Sequence, residues 1–122
     1  MRGYKKFYEA PLWLKAYELQ KKIFILSQTF PKSEIYGLVD QMNRSANSLL
    51  ANFAEADGRF HYADKVRVLY IARGELQELQ SHLIVAASRG YMEKASSSDL
   101  IRKYEEVKMQ LNLYIGSLLK QK

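Results

Sequence analysis

Apolar side chains recur at steps of three and four residues from Leu12 to Leu118, and only a few prolines and glycines break the rhythm. This period fits helices of 3.6 residues per turn and excludes strands, which need alternation by two. Four seams are legible. Leu12, Ala16, Leu19, Ile23, Leu26 and Phe30 form the first, and Ile35, Leu38, Met42, Ala46, Leu49, Phe53 and Ala56 the second. Tyr62, Val66, Leu69, Ala72, Leu76, Leu79, Leu83 and Ala86 form the third, and Leu100, Tyr104, Val107, Leu111, Tyr114 and Leu118 the fourth.

The punctuation sets the boundaries. Pro31 stops the first helix and suits the first turn of the second, where its missing N–H costs little and Glu34 complements the helix dipole. Gly58 and Gly90 are placed to end the second and third helices. Ser96, Ser97 and Ser98 before Asp99 offer a cap for the fourth. Helices are therefore expected over about 10–30, 32–57, 61–89 and 98–120. Four such helices with short loops predict one all-α domain, an antiparallel up-down-up-down four-helix bundle.

Beside the second seam, Gln41, Arg44, Ser48, Asn52, Glu55 and Arg59 form a polar stripe with the same helical spacing. It reads either as a solvated flank with ordinary helical charge pairs or as a hydrogen-bonded ladder meeting another helix or subunit. Gly74 is a second anomaly, because mid-helix glycine costs about 1 kcal/mol relative to alanine. Arg67, Gly74 and Ser81 lie seven apart on a line away from the seam, which predicts close approach by another helix, with a second subunit favoured.

Charge and composition narrow the function. The 122 residues carry a net charge of +6, and residues 1–22 hold six Lys or Arg against two Glu, leaving two net positive charges for the remainder. A basic balance favours anionic partners, nucleic acid first, through phosphate neutralisation. Lys5, Lys6, Lys15, Lys21, Lys22, Arg44, Arg59, Arg67 and Arg73 are the candidate phosphate contacts. Tyr4, Phe7 and Tyr8, interleaved with Arg2, Lys5 and Lys6, are the candidate stacking residues.

No apolar run is long enough to span a bilayer and no secretory signal is evident, so a cytoplasmic location without membrane association is expected. The absence of cysteine excludes disulfides and thiolate chemistry. Glu75, Glu78 and His82 share one flank of the third helix, and His61 stands near Asp64. These more plausibly make helical charge clusters, the two acids reaching Arg44 or Arg59, than a metal site or a hydrolytic pair. No enzyme, cofactor or metal is expected.

Leu12-Trp13, Phe30-Pro31, Glu34, Tyr36-Gly37-Leu38, Gln41, Arg44 and Ser48, in this order and spacing, resemble the bacterial 23S rRNA intervening-sequence proteins. The family's Asn-Ile-Ala-Glu-Gly box is similar to Asn52-Phe53-Ala54-Glu55-Ala56. Its Ala-x-Gly-Ser-x-x-Glu-Leu element is similar to Ala72-Arg73-Gly74-Glu75-Leu76-Gln77-Glu78-Leu79. Phe53, Ala56 and Glu75 depart from that pattern. The resemblance implies a four-helix bundle assembled into a homo-oligomeric ring, a pentamer, associated with RNA. Related bundles serve diversity-generating retroelements, which implies a reverse transcriptase as a further partner.

It also favours the ladder reading, with Gln41, Ser48, Asn52, Glu55, Gly74 and Glu78 setting bundle and assembly geometry and Arg44 and Arg59 closest to RNA. The competing expectation is a scaffold acting only through protein contacts, its basic charge incidental.

Overall fold

A computed structural model describes residues 3–121 and places four α-helices around one apolar core. Arg2 lies outside the described residues. The helices are α1 (Pro11–Ser27), α2 (Leu38–Gly58), α3 (Tyr62–Ser88) and α4 (Lys94–Leu119), and no strand occurs among the described residues. Each helix packs on its chain neighbours and α4 returns to α1, so α1 and α3 occupy opposite corners of an antiparallel four-helix bundle.

Ahead of α1, a 3₁₀ turn over Phe7–Glu9 is held by the Glu9 carboxylate, which accepts from the backbone N–H groups of Lys5 (3.0 Å) and Lys6 (2.9 Å). Pro11 then occupies the first position of α1. The seams bury as their spacing requires: Ile23, Met42, Leu69, Leu76, Leu79, Leu83 and Leu111 have no exposure.

The first helix ends at Ser27 rather than near residue 30, and three further features differ from the sequence expectation. The second helix does not run on from residue 32: a 3₁₀ turn covers Lys32–Glu34 and α2 begins only at Leu38. Ile35 consequently leaves the seam and is 48% exposed. The cause is Glu34, whose Oε1 accepts the orphan backbone N–H of Leu38 (3.2 Å). Its Oε2 accepts from Tyr91 Oη (2.7 Å) and Arg89 Nη1 (2.8 Å). A β-carbon at Gly37 would stand 2.8 Å from Glu34 Oε1, so glycine makes room for this carboxylate.

The fourth helix starts at Lys94, four residues early, and the serines do not cap it. Ser97 is instead buried and donates to the Leu83 carbonyl of α3 (2.8 Å). Gly90 makes the early start possible. With φ +77°, it closes α3 in a Schellman motif, Gly90 N–H to Ala87 O and Tyr91 N–H to Ala86 O, both 3.0 Å. Tyr62 is the third difference: at the first turn of α3 it is 41% exposed rather than part of the core.

Each edge of the bundle carries at least one polar tie. Asn43 Nδ2 donates to Ser27 Oγ across α1 and α2 (2.9 Å), and Ser45 Oγ donates to Glu78 Oε2 across α2 and α3 (2.6 Å). Gln80 Nε2 donates to Glu105 Oε1 (3.0 Å) and the Ile101 carbonyl (3.2 Å) across α3 and α4. Lys15 Nζ meets Glu106 Oε1 across α1 and α4 (3.0 Å).

Two stability predictions follow from unequal satisfaction of these groups. Tyr104 is fully buried and its hydroxyl has no hydrogen-bond partner among the described residues; burial drives its pKa upward. Tyr104→Phe should therefore stabilise the fold by about 1 kcal/mol in urea unfolding, whereas a loss would reveal a compensating partner. Glu34 titrates below the usual carboxylate range, chiefly because Tyr91 donates to it, then through the Leu38 N–H and Arg89. A depressed carboxyl pKa contributes stability above its unfolded value and loses it as pH falls through the folded one. The advantage of wild type over Glu34→Gln should be full above the ordinary value of 4.5 and shrink in more acid solution. A gap independent of pH would contradict this.

Candidate nucleic-acid interface

The nine candidate cations do not share one face. Lys15, Lys21 and Lys22 lie on α1, and Arg67 and Arg73 lie on α3 at the opposite corner. Several are also engaged. Besides Lys15 with Glu106, Lys21 pairs with Glu18 (3.0 Å) and sits over the Tyr17 ring (4.8 Å). Arg44 pairs with Asp40 (3.8 Å), Arg59 with Glu55 (2.7 Å), and Arg73 with Asn112 (3.0 Å) while stacking over Tyr70 (4.9 Å).

The polar stripe of α2 is divided in the same way. Arg59 and Glu55 make a helical pair, and Gln41 is exposed. Ser48 and Asn52 are half-buried, and neither hydrogen-bonds a neighbouring helix among the described residues. The cross-helix bond to α3 comes from Ser45, one position from the core seam, and its acceptor is Glu78. Glu75 and Glu78 meet neither Arg44 nor Arg59 at bonding distance among the described residues. Desolvation, then Glu78, pushes the Glu75 carboxyl upward against opposing pulls from Arg44 and His82. His82 stands 4.0 Å from Glu78, and its buried Nε2 has no hydrogen-bond partner among the described residues. No group of three or more His, Asp or Glu suited to a metal occurs among the described residues.

One end of the bundle concentrates the remaining features. The antiparallel course brings together the segment before α1, the turn from α2 to α3 and the last turn of α4. Lys5, Lys6 and Arg59 therefore share this end. So does Lys65, whose Nζ donates to the Asp57 (2.9 Å) and Ala56 (3.2 Å) carbonyls and caps the C-terminus of α2. Sequence reading missed Lys65 because its capping role depends on the fold of the α2–α3 turn.

Aromatic rings gather here as well. Phe60 is 88% exposed at the turn and meets His61 edge-on at 5.0 Å. Phe7 packs edge-on against Tyr8 (5.3 Å) and Trp13 (5.6 Å), and Trp13 stacks on Tyr17 (5.1 Å, 19°). The same end holds a cleft of about 620 Å³ lined by Tyr4, Tyr62 and Tyr114, with the buried Phe53 and Leu118 at its floor. Tyr114, expected on the core seam, is half-buried at the wall of this cleft.

Residues 9–113 match the family model described as "23S rRNA-intervening sequence protein". No curated protein matches the chain. A solved structure from Bacteroides thetaiotaomicron VPI-5482, described as a protein with unknown function from the S23 ribosomal protein family, is 23% identical. That similarity covers 85% of this chain and 97% of the other, with a TM-score of 0.78, and supports the fold. Neither description carries an enzymatic activity.

Proposed function

The chain belongs to the 23S rRNA-intervening sequence protein family, and we propose that it is a non-enzymatic RNA-binding bundle that engages RNA through the end carrying Lys5, Lys6, Arg59 and Lys65. The carrying observation is the convergence of these cations with exposed rings at Tyr8 and Phe60. Phosphates need positive charge and unpaired bases need ring faces; on the bundle sides Lys15, Lys21 and Arg73 are held by acids or an amide, and at this end Arg59 is paired with Glu55. Selectivity would come from RNA shape and strand state.

The measurement is RNA affinity across a salt series. About four phosphate contacts to a single strand predict roughly a 50-fold loss between about 50 and 200 mM salt. Lys5→Glu with Lys6→Glu should reduce affinity at least ten-fold, whereas Lys15→Glu should have little effect on it. Affinity independent of salt would exclude phosphate contacts.

A second reading, self-assembly, is favoured by the outer line of α3. Among the described residues, nothing beyond the local turn of α3 lies within 4 Å of a β-carbon built at Gly74, and Tyr70, Ile71 and Ile84 beside that line are exposed. A second copy packed against this face would explain a glycine that the isolated bundle does not require. In a monomer, Gly74→Leu would only improve helix propensity, by somewhat less than about 1 kcal/mol. In an oligomer, a pentamer in the ring reading, it should lower the mass measured by light scattering while leaving helical ellipticity intact. An unchanged mass refutes the α3 interface.

A further inference from the structure

We infer that the cleft between Tyr62 and Tyr114 receives one unstacked base of a single-stranded RNA, a proposal that rests on the RNA reading above. Its volume lies within the range of small-ligand sites and accommodates a base with its ribose. Phe53 and Tyr114, 5.8 Å apart and tilted by 50°, form one wall, while Tyr62 stands at the mouth with 41% of its surface exposed. Ring faces of this kind bind bases with little regard to sequence.

The polar groups around those rings distinguish a base from an apolar side chain. Gln110 is exposed and its amide makes no hydrogen bond among the described residues, so it offers a donor and an acceptor together. Ser117 and Gln121 also line it; the hydroxyl donates to the Tyr114 carbonyl (2.7 Å) and the amide nitrogen to the Ser117 carbonyl (3.4 Å), which leaves their oxygens as acceptors. A purely apolar occupant would shield such groups without replacing their bonds to water. Among the described residues, Lys65 is the only charged one lining the cleft, and no carboxylate lines it. Two ammonium protons of Lys65 point to the α2 carbonyls, leaving the third for a phosphate or base oxygen. A base locked in a duplex cannot enter, so the cleft selects unpaired strands.

The test uses the full chain with a single-stranded RNA and with the same strand fully paired. Wild type should bind the single strand at least ten-fold more tightly than the duplex. Tyr62→Ala should lose roughly ten-fold on the single strand and change duplex affinity less than two-fold, while Tyr62→Phe retains the wild-type preference. Gln110→Glu, an exposed change that places a carboxylate at the cleft, should reproduce the selective loss with helicity intact. Single-strand affinity unchanged in both Tyr62→Ala and Gln110→Glu would overturn the cleft while leaving RNA binding standing. Failure of wild type to bind either RNA would overturn both.

Discussion

The fold depends on burying the inner face of α3. Leu69, Ala72, Leu76, Leu79, Leu83 and Ala86 have no exposure, and the helix is wedged between α2 and α4. A leucine transferred wholly from water contributes about 2 kcal/mol, so four leucines on one helix outweigh any single polar contact in the molecule. Alanines at 72 and 86 let neighbouring backbones approach between the leucines. Burial of this kind has no direction, and it brings helices together without fixing their axial register.

Register comes from the sparse polar ties. Ser45 to Glu78, Asn43 to Ser27, Ser97 to the Leu83 carbonyl and Gln80 to Glu105 each link adjacent helices at one height, and sliding by a turn would leave partly buried groups unpaired. Glu34 serves the turns at one end in the same manner. By joining the start of α2 to Arg89 and Tyr91 after α3, it sets where α2 begins and explains why Ile35 and Tyr36 project outward. Tyr104 is an exception, a hydroxyl carried into the core without a hydrogen-bond partner among the described residues.

This division explains what could be read in the residues. Apolar period is a local property, so the four seams and the bundle were legible from Leu12 to Leu118. The ties depend on what faces what. Ser45 sits one residue from a seam position and is indistinguishable in sequence from a surface serine, whereas Ser48 and Asn52, which look better placed, find no partner across the helix pair. Ser97 lies in a run that imitates a cap, and only the left-handed Gly90 turn moves it inside α4. Among the site residues, positive charge was legible but its spatial grouping was not, since helices at opposite corners divide Lys15 and Lys21 from Arg67 and Arg73.

The same geometry limits how such a bundle can meet a polyanion. A side of the bundle presents two helices, and on these sides charge is paired within or between helices, as with Lys21 and Glu18 or Lys15 and Glu106, which lowers the return from displacing counterions. An end presents turns and termini, whose backbone groups require capping by side chains such as Lys65. Helix packing also leaves a gap at the end, where the seams run out and the last rings, Tyr62 and Tyr114, have apolar neighbours on one side only. The regular faces are thus spent on packing and paired charge, and the end combines positive charge with exposed rings at Tyr8 and Phe60.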